Sequence, residues 1–160
     1  MMLVSKDIVL TRETGAGRFQ VRVQTGEQEF FADEPIAFGG LSSGPGPFDL
    51  MCAALGACTT MTMRLYVVHK GWSVGPFSVR VTHHKGSPEA RDRFERVLDL
   101  GNVSPEQRDR LIHIAERCPV HLLLERGADV TTSVAQSELA AGVAEGLHAQ
   151  VIEKLCDEAS

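Results

Sequence analysis

The stretch that decides the fold is Phe48–Gly71, "FDLMCAALGACTTMTMRLYVVHKG". It has the length and composition of a single helix, with Asp49 in the first turn, where a carboxylate suits the positive end of the helix dipole. Gly71 stands where a left-handed C′ residue ends a helix. The segment is apolar nearly all the way round, so the expected place for it is the interior, covered on every side. Before it, "GGLSSGPGPFD" (39–49) is loop chemistry that opens the helix.

Outward toward the N-terminus, "DIVLT" (7–11), "RFQVRVQT" (18–25) and "EFFAD" (29–33) read as strands. They are joined by the turns "ETGAG" and "TGEQ", and Pro35 begins another short extended piece. Toward the C-terminus, "PFSVRVTHH" (76–84) and "RFERVLDLG" (93–101) alternate apolar and polar residues and flank the turn "KGSPEARD". "SPEQRDRLIHIAERC" (104–118) opens with Ser104, Pro105 and Gln107, a capping signature. Pro119 forces a break after Cys118 and starts a short helix, "PVHLLLER". "DVTTSV" (129–134) reads as a last strand, and "QSELAAGVAEGLHAQVIEKLC" (136–156) as a helical tail. The order is α+β with a mainly antiparallel sheet.

At 160 residues and 43% hydrophobic content the chain suits one globular domain. We expect residues 1–134 to form the domain and 135–160 a C-terminal helical extension. The net charge of −5 offers no basic field, so no nucleic-acid partner is expected. No stretch looks apolar enough for the roughly 20 residues of a membrane span, and the first residues lack an export signal. The expected location is the cytoplasm, where Cys52, Cys58, Cys118 and Cys156 would not form structural disulfides.

Two of these cysteines are candidates for chemistry. Cys58 is mid-helix, with Ala54, Leu55, Met61 and Thr62 on its face. Free cysteine is commonly a packed core residue, and an apolar setting by itself raises a thiol's pKa. Cys118 is a candidate N-cap if Pro119 is N1, and a helix N-terminus favours thiolate. Cys52 is turned about 240° from Cys58 and reads as core, while Cys156 reads as incidental. A zinc site could be assembled from Cys118, His121, His83 and His84, although the spacing lacks the specificity of a paired CxxC. The chain contains no CxxC, P-loop or dinucleotide fingerprint.

"SGPGPFDLMCAALGACTTMTMRLYVVHKGW" (43–72) and "SPEQRDRLIHIAERCPVHLLL" (104–124) together resemble the OsmC/Ohr family. The nearest resemblance is to its branch with "ALGACT-MT-R" and "RCPVH", over roughly residues 5 to 134. The resemblance implies an OsmC-like sheet wrapped around a central helix and an interlocked homodimer. It also implies a thiol-dependent peroxidase that reduces organic hydroperoxides. On that pattern the Cys58 thiolate attacks the O–O bond, Cys118 resolves the sulfenic acid to a disulfide, and an external dithiol (lipoyl in the Ohr branch) restores both. No cofactor and no metal ion are implied.

In the family an arginine and a glutamate support the thiolate. The positions here that answer to them are Arg18, with Arg12 as rival, and Asp49. Asp49 lies nine residues before Cys58, about 180° round and about 13 Å along the helix, so it could serve only across a subunit boundary. The chain departs from the pattern in carrying aspartate for glutamate, and Leu122 where near relatives carry arginine. The alternative to catalysis is a small-molecule binder or redox sensor on the same fold.

Overall fold

The computed structural model describes residues 6–143 and 145–159. Its elements are β1 (Val9–Glu13), β2 (Val21–Thr25), β3 (Gln28–Ala32), α1 (Pro47–His69), β4 (Ser78–His84), β5 (Arg93–Asp99), α2 (Pro105–Glu116), α3 (Pro119–Arg126) and α4 (Leu147–Glu158). This is a mixed helix and antiparallel-sheet architecture, as the sequence implied. The chain divides into two compact units, residues 1–50 with 130–147 and residues 51–129 with 148–160.

The first unit is built on the antiparallel meander β1-β2-β3, in which Val23 pairs with Thr11 on one side and Phe30 on the other. Leu10, Val23 and Ala32 are its buried strand residues. The loop that follows is organised by one buried carboxylate. Asp33 accepts hydrogen bonds from the amides of Glu34, Leu41 and Ser43 and from the Ser43 hydroxyl. Those donors, the Ser43 hydroxyl first, hold its pKa below the usual carboxylate value. Pro35 does not start an extended piece. It precedes a 3-10 turn, Ile36–Phe38, because the Asp33 bonds fold the chain back on itself within ten residues.

In the second unit α1 presents one buried stripe: Leu55, Cys58, Thr59, Thr62, Met63, Tyr66 and Val67. The three-to-four spacing is that of one helix face. The opposite face is open, with Met61 55% and Val68 64% exposed, so burial on every side does not hold within a single chain. One hairpin and two helices supply only one covering side. α1 also corrects the expectation about span length. Its 23 residues, with a windowed mean hydropathy of 1.3, are long and apolar enough to cross a membrane by those two criteria. Core helices of ordinary domains meet them too, and here the buried stripe packs on protein.

The partners of that stripe are Phe77, Leu100, and Leu111, Ile114 and Ala115 of α2, closed by Leu155 and Cys156 of α4. Cys156 is therefore a core residue, wholly buried, with its thiol pKa raised by burial. α1 ends in a Schellman motif: the Gly71 amide donates to Val68 O, the Trp72 amide to Val67 O, and Gly71 has φ +63°. α2 begins with the full capping box, Ser104 Oγ accepting from the Gln107 amide and Gln107 Oε1 from the Ser104 amide.

β4 and β5 alternate strictly, and Val79, Val81 and His83 pair with Leu98, Arg96 and Phe94 on the more buried face. Gly56 of α1 faces this hairpin, and a methyl group there would lie 3.5 Å from Val81 Cγ2, an ordinary contact. Gly56→Ala is therefore expected to raise stability by about 0.5–1 kcal/mol through helix propensity alone. Urea unfolding that shows a loss instead would mean the helix–hairpin approach is tighter than it looks.

Residues 129–134 form no strand, and Val130 and Val134 are 87% and 92% exposed. Alternating residues need a neighbouring ladder, and none of the described strands pairs with this segment. The helical tail shrinks to α4; Gly146 adopts φ +66°, which a continuing right-handed helix does not allow.

Candidate active site

Cys118 closes the gap between α2 and α3. Its backbone is extended (φ −60°, ψ 137°), as an N-cap requires, and Pro119 takes N1, where the missing amide costs nothing. The next two amides of α3 both end on sulfur. Val120 N donates to Cys58 Sγ at 3.4 Å and His121 N to Cys118 Sγ at 3.4 Å. Both thiols belong to one small buried cluster with Leu55. Cys58 and Cys118, sixty positions apart in sequence, thus share one helix N-terminus, at 2% and 0% exposure.

A guanidinium holds the site from the hairpin. Arg96 Nη1 donates to Thr59 Oγ1 at 2.9 Å and to Ala115 O at 2.8 Å, and its Nη2 donates to His121 Nδ1 at 2.8 Å. Since Nδ1 accepts, the proton of a neutral His121 sits on Nε2, which faces Glu125 Oε1 at 3.3 Å. Thr59 Oγ1 in turn lies 3.7 Å from Cys118 Sγ.

These contacts separate the two thiols electrostatically. Cys118 is pulled well below the ordinary thiol value by the hydrogen bond from Cys58, then by the His121 amide, Thr59 and the charge of Arg96, against the cost of burial. Cys58 is pushed up, first by its interaction with Cys118 and then by burial, with partial relief from the Val120 amide and the Thr62 hydroxyl.

Beside the pair opens a cleft of about 480 Å³, bounded among others by Leu55, Phe94, Arg96, His121 and Leu124. Leu55, Phe94 and Leu124 also pack around the sulfurs, so the cleft and the thiols share a wall. At its rim Asp92 accepts from Lys85 and His83, at 2.8 and 2.7 Å, and these bonds, Lys85 first, hold its pKa low. His83 stacks on Phe94 with centroids 4.8 Å apart.

Arg18 and Asp49 belong to the first unit. Arg18 lies in the β1–β2 connection with its guanidinium 5.8 Å from the centre of the Phe19 ring. Asp49 accepts from the Gly46 amide at 3.0 Å, a bond that closes the first turn of α1. The rival Arg12 is paired with Glu138 at 3.4 Å and donates to Leu139 O. Of the imagined zinc ligands, His83 and His84 face the carboxylates Asp92 and Glu95. Among the described residues no group of three or more His, Cys, Asp or Glu is placed to hold a metal ion.

Arg96 and Thr59 escaped the sequence reading. The signal for Arg96 was present: in "RFERVLDLG" it shares strand parity with Phe94 and Leu98, and a charge on the apolar side of a strand needs a buried partner.

The chain is thus an antiparallel α+β protein with two thiols at one helix N-terminus. The family model described as OsmC-like protein matches residues 40–133, and the chain belongs to that family. No curated protein sequence matches significantly. Among solved structures, an organic hydroperoxide resistance protein OsmC from Legionella pneumophila is similar at 18% identity, covering 76% of this chain and 90% of its own, with a TM-score of 0.58. An organic hydroperoxide resistance protein from Elizabethkingia anophelis gives 19% identity, 76% and 89% coverage and a TM-score of 0.58. The OsmC-like protein of Mycoplasma pneumoniae gives 16%, 78%, 89% and 0.57. At such identities the likeness is one of fold.

Proposed function

We propose that this protein is a cysteine-based peroxidase that reduces organic hydroperoxides, with Cys58 and Cys118 cycling between dithiol and disulfide. The observation that carries this reading is the pair of sulfurs meeting on consecutive amides of α3 within one buried cluster. Attack on the distal peroxide oxygen releases an alcohol and leaves a sulfenic acid; the second thiol attacks its sulfur, forming the disulfide and expelling the hydroxyl as water. An external dithiol then reduces the bond by exchange. The half-apolar cleft suits an alkyl hydroperoxide better than hydrogen peroxide, and the names of the Legionella and Elizabethkingia proteins point to the same substrate class. The cytoplasm, where dithiol reductants are available, is the compartment this chemistry fits.

One equivalent of cumene hydroperoxide is expected to lower the intact mass by about 2 Da through a Cys58–Cys118 disulfide. With dihydrolipoamide present the wild type should turn over many times, and the double variant Cys58→Ser/Cys118→Ser should lose at least about a hundredfold. A wild type that consumes no hydroperoxide ends the enzyme reading and leaves the binder or sensor.

A further inference from the structure

An organic hydroperoxide attacked by sulfur expels an alkoxide, a strong base, and what receives that charge is a question that rests on the peroxidase reading. Charge of this kind is met by hydrogen-bond donors fixed in advance where it develops. The cleft has apolar walls in Leu55, Phe94 and Leu124, which suit the organic part of such a peroxide. The same three side chains pack around the sulfurs. The oxygen that joins the organic part to the attacked oxygen therefore belongs at the seam between cleft and thiols.

Two polar residues span that seam. Arg96 and His121 both bound the cleft, and the His121 amide also reaches Cys118 Sγ at 3.4 Å. Arg96 spends its Nη protons inside the protein, on Thr59 Oγ1, Ala115 O and His121 Nδ1. A guanidinium can only donate, so His121 Nδ1 is filled as an acceptor and the ring proton stands on Nε2. Nε2 faces Glu125 Oε1 at 3.3 Å, a carboxylate 63% exposed that water can solvate in its place. The other charged groups of the cleft are engaged: Arg91 with Leu124 O and Glu125 O, Arg93 with Glu95, and Asp92 with Lys85 and His83. His121 Nε2–H is thus the donor at the seam whose present acceptor is the most easily replaced.

We propose that His121 Nε2–H donates a hydrogen bond to the leaving oxygen of the hydroperoxide, with Arg96 holding the ring in the tautomer that can do so. The attacking thiolate displaces alkoxide from the distal oxygen, breaking O–O and forming S–OH. The electron pair of the broken bond passes to the proximal oxygen, which accepts from Nε2 and takes one proton from solvent to leave as alcohol. The second thiol then forms the S–S bond, and the hydroxyl leaves with that thiol's proton as water. The peroxide is reduced by the two electrons that the dithiol loses. A neutral imidazole suffices for this role, because it polarises the breaking bond by donating without giving up its proton.

The test compares cumene hydroperoxide with perbenzoic acid, which carries a similar ring but expels benzoate, a weak base that needs no donor. Single-turnover rates of the reduced protein are taken by stopped flow with each oxidant. His121→Asn keeps an acceptor near the place of Nδ1 for Arg96 but has no donor as far out as Nε2. It is expected to lower the ratio of the cumene hydroperoxide rate to the perbenzoic acid rate by at least about thirtyfold. His121→Gln, whose amide reaches about as far as Nε2, should bring the ratio back to within about fivefold of wild type. An unchanged ratio in His121→Asn, or a His121→Gln no better than it, overturns the proposal and leaves the dithiol peroxidase standing. A wild type that consumes no cumene hydroperoxide overturns both readings. Should the variants fail to fold, the wild type decides: its ratio should exceed that of free dithiothreitol by at least about tenfold. An equal or smaller ratio overturns the assignment.

Discussion

Arg96→Met is expected to move the pH midpoint of Cys118 alkylation upward by about one to two units and to slow labelling at mildly acidic pH by about ten- to a hundredfold. One unit corresponds to about 1.4 kcal/mol of differential stabilisation between thiolate and thiol, an ordinary magnitude for a fixed cation near a buried anion. The sign follows from the lowered Cys118 value: the thiolate persists above its folded pKa and is lost as pH falls through it, and removing Arg96 shifts that loss to higher pH. A merely structural arginine would not move this midpoint. The same variant should also lose stability, by at least about 2 kcal/mol, because Thr59 Oγ1, Ala115 O and His121 Nδ1 all lose their donor. Arg96→Lys keeps the charge but cannot span three acceptors, so it should recover the midpoint better than the stability. An unchanged midpoint in Arg96→Met, read by pH-resolved alkylation of the reduced protein, would sever the hairpin from the chemistry.

Leu111→Ala should be the most destabilising single truncation in the core, costing about 2.5–5 kcal/mol. Leu111 has no exposed surface and sits among Met63, Tyr66, Ile114 and Leu155, where α1, α2 and α4 meet. Removing its isobutyl group forfeits apolar transfer and leaves a cavity that three helices cannot all close. Ile112, its neighbour in sequence, is 41% exposed, and Ile112→Ala should cost less than about 1 kcal/mol. Urea denaturation of the two variants, compared at constant m-value, measures the contrast. Similar losses at both positions would show that α2 is docked in another rotation. The two predictions are linked, since Ala115 on the same helix anchors Arg96: a displaced α2 should also disturb the Cys118 titration.

Much of this molecule is legible locally. Gly71 ends α1 because a left-handed residue is needed where the Schellman bonds form, and Ser104 with Gln107 starts α2 because each satisfies the other's amide. The Cys118-Pro119 step makes an N-cap from sulfur, since proline tolerates only the first helical position. Such signals act over one or two turns of chain, and residues four apart suffice to read them.

Partnership across the chain is another matter. The apolar circumference of α1 says that it can be buried, but only docking decides that Tyr66 goes inward and Val68 outward. Val130 and Val134 have strand character and no ladder, and Cys156, unremarkable in a polar tail, belongs to the same core cluster as Tyr66 and Leu111. Cys58 and Cys118 were each visible as residues; their meeting in one buried cluster, and the Arg96–Thr59 arrangement beside it, exist only once a hairpin, two helices and a cap converge. Hydrophobic period and capping are properties of a few neighbouring residues. The ionisation of a buried thiol is set by whichever distant donors the tertiary packing aims at it.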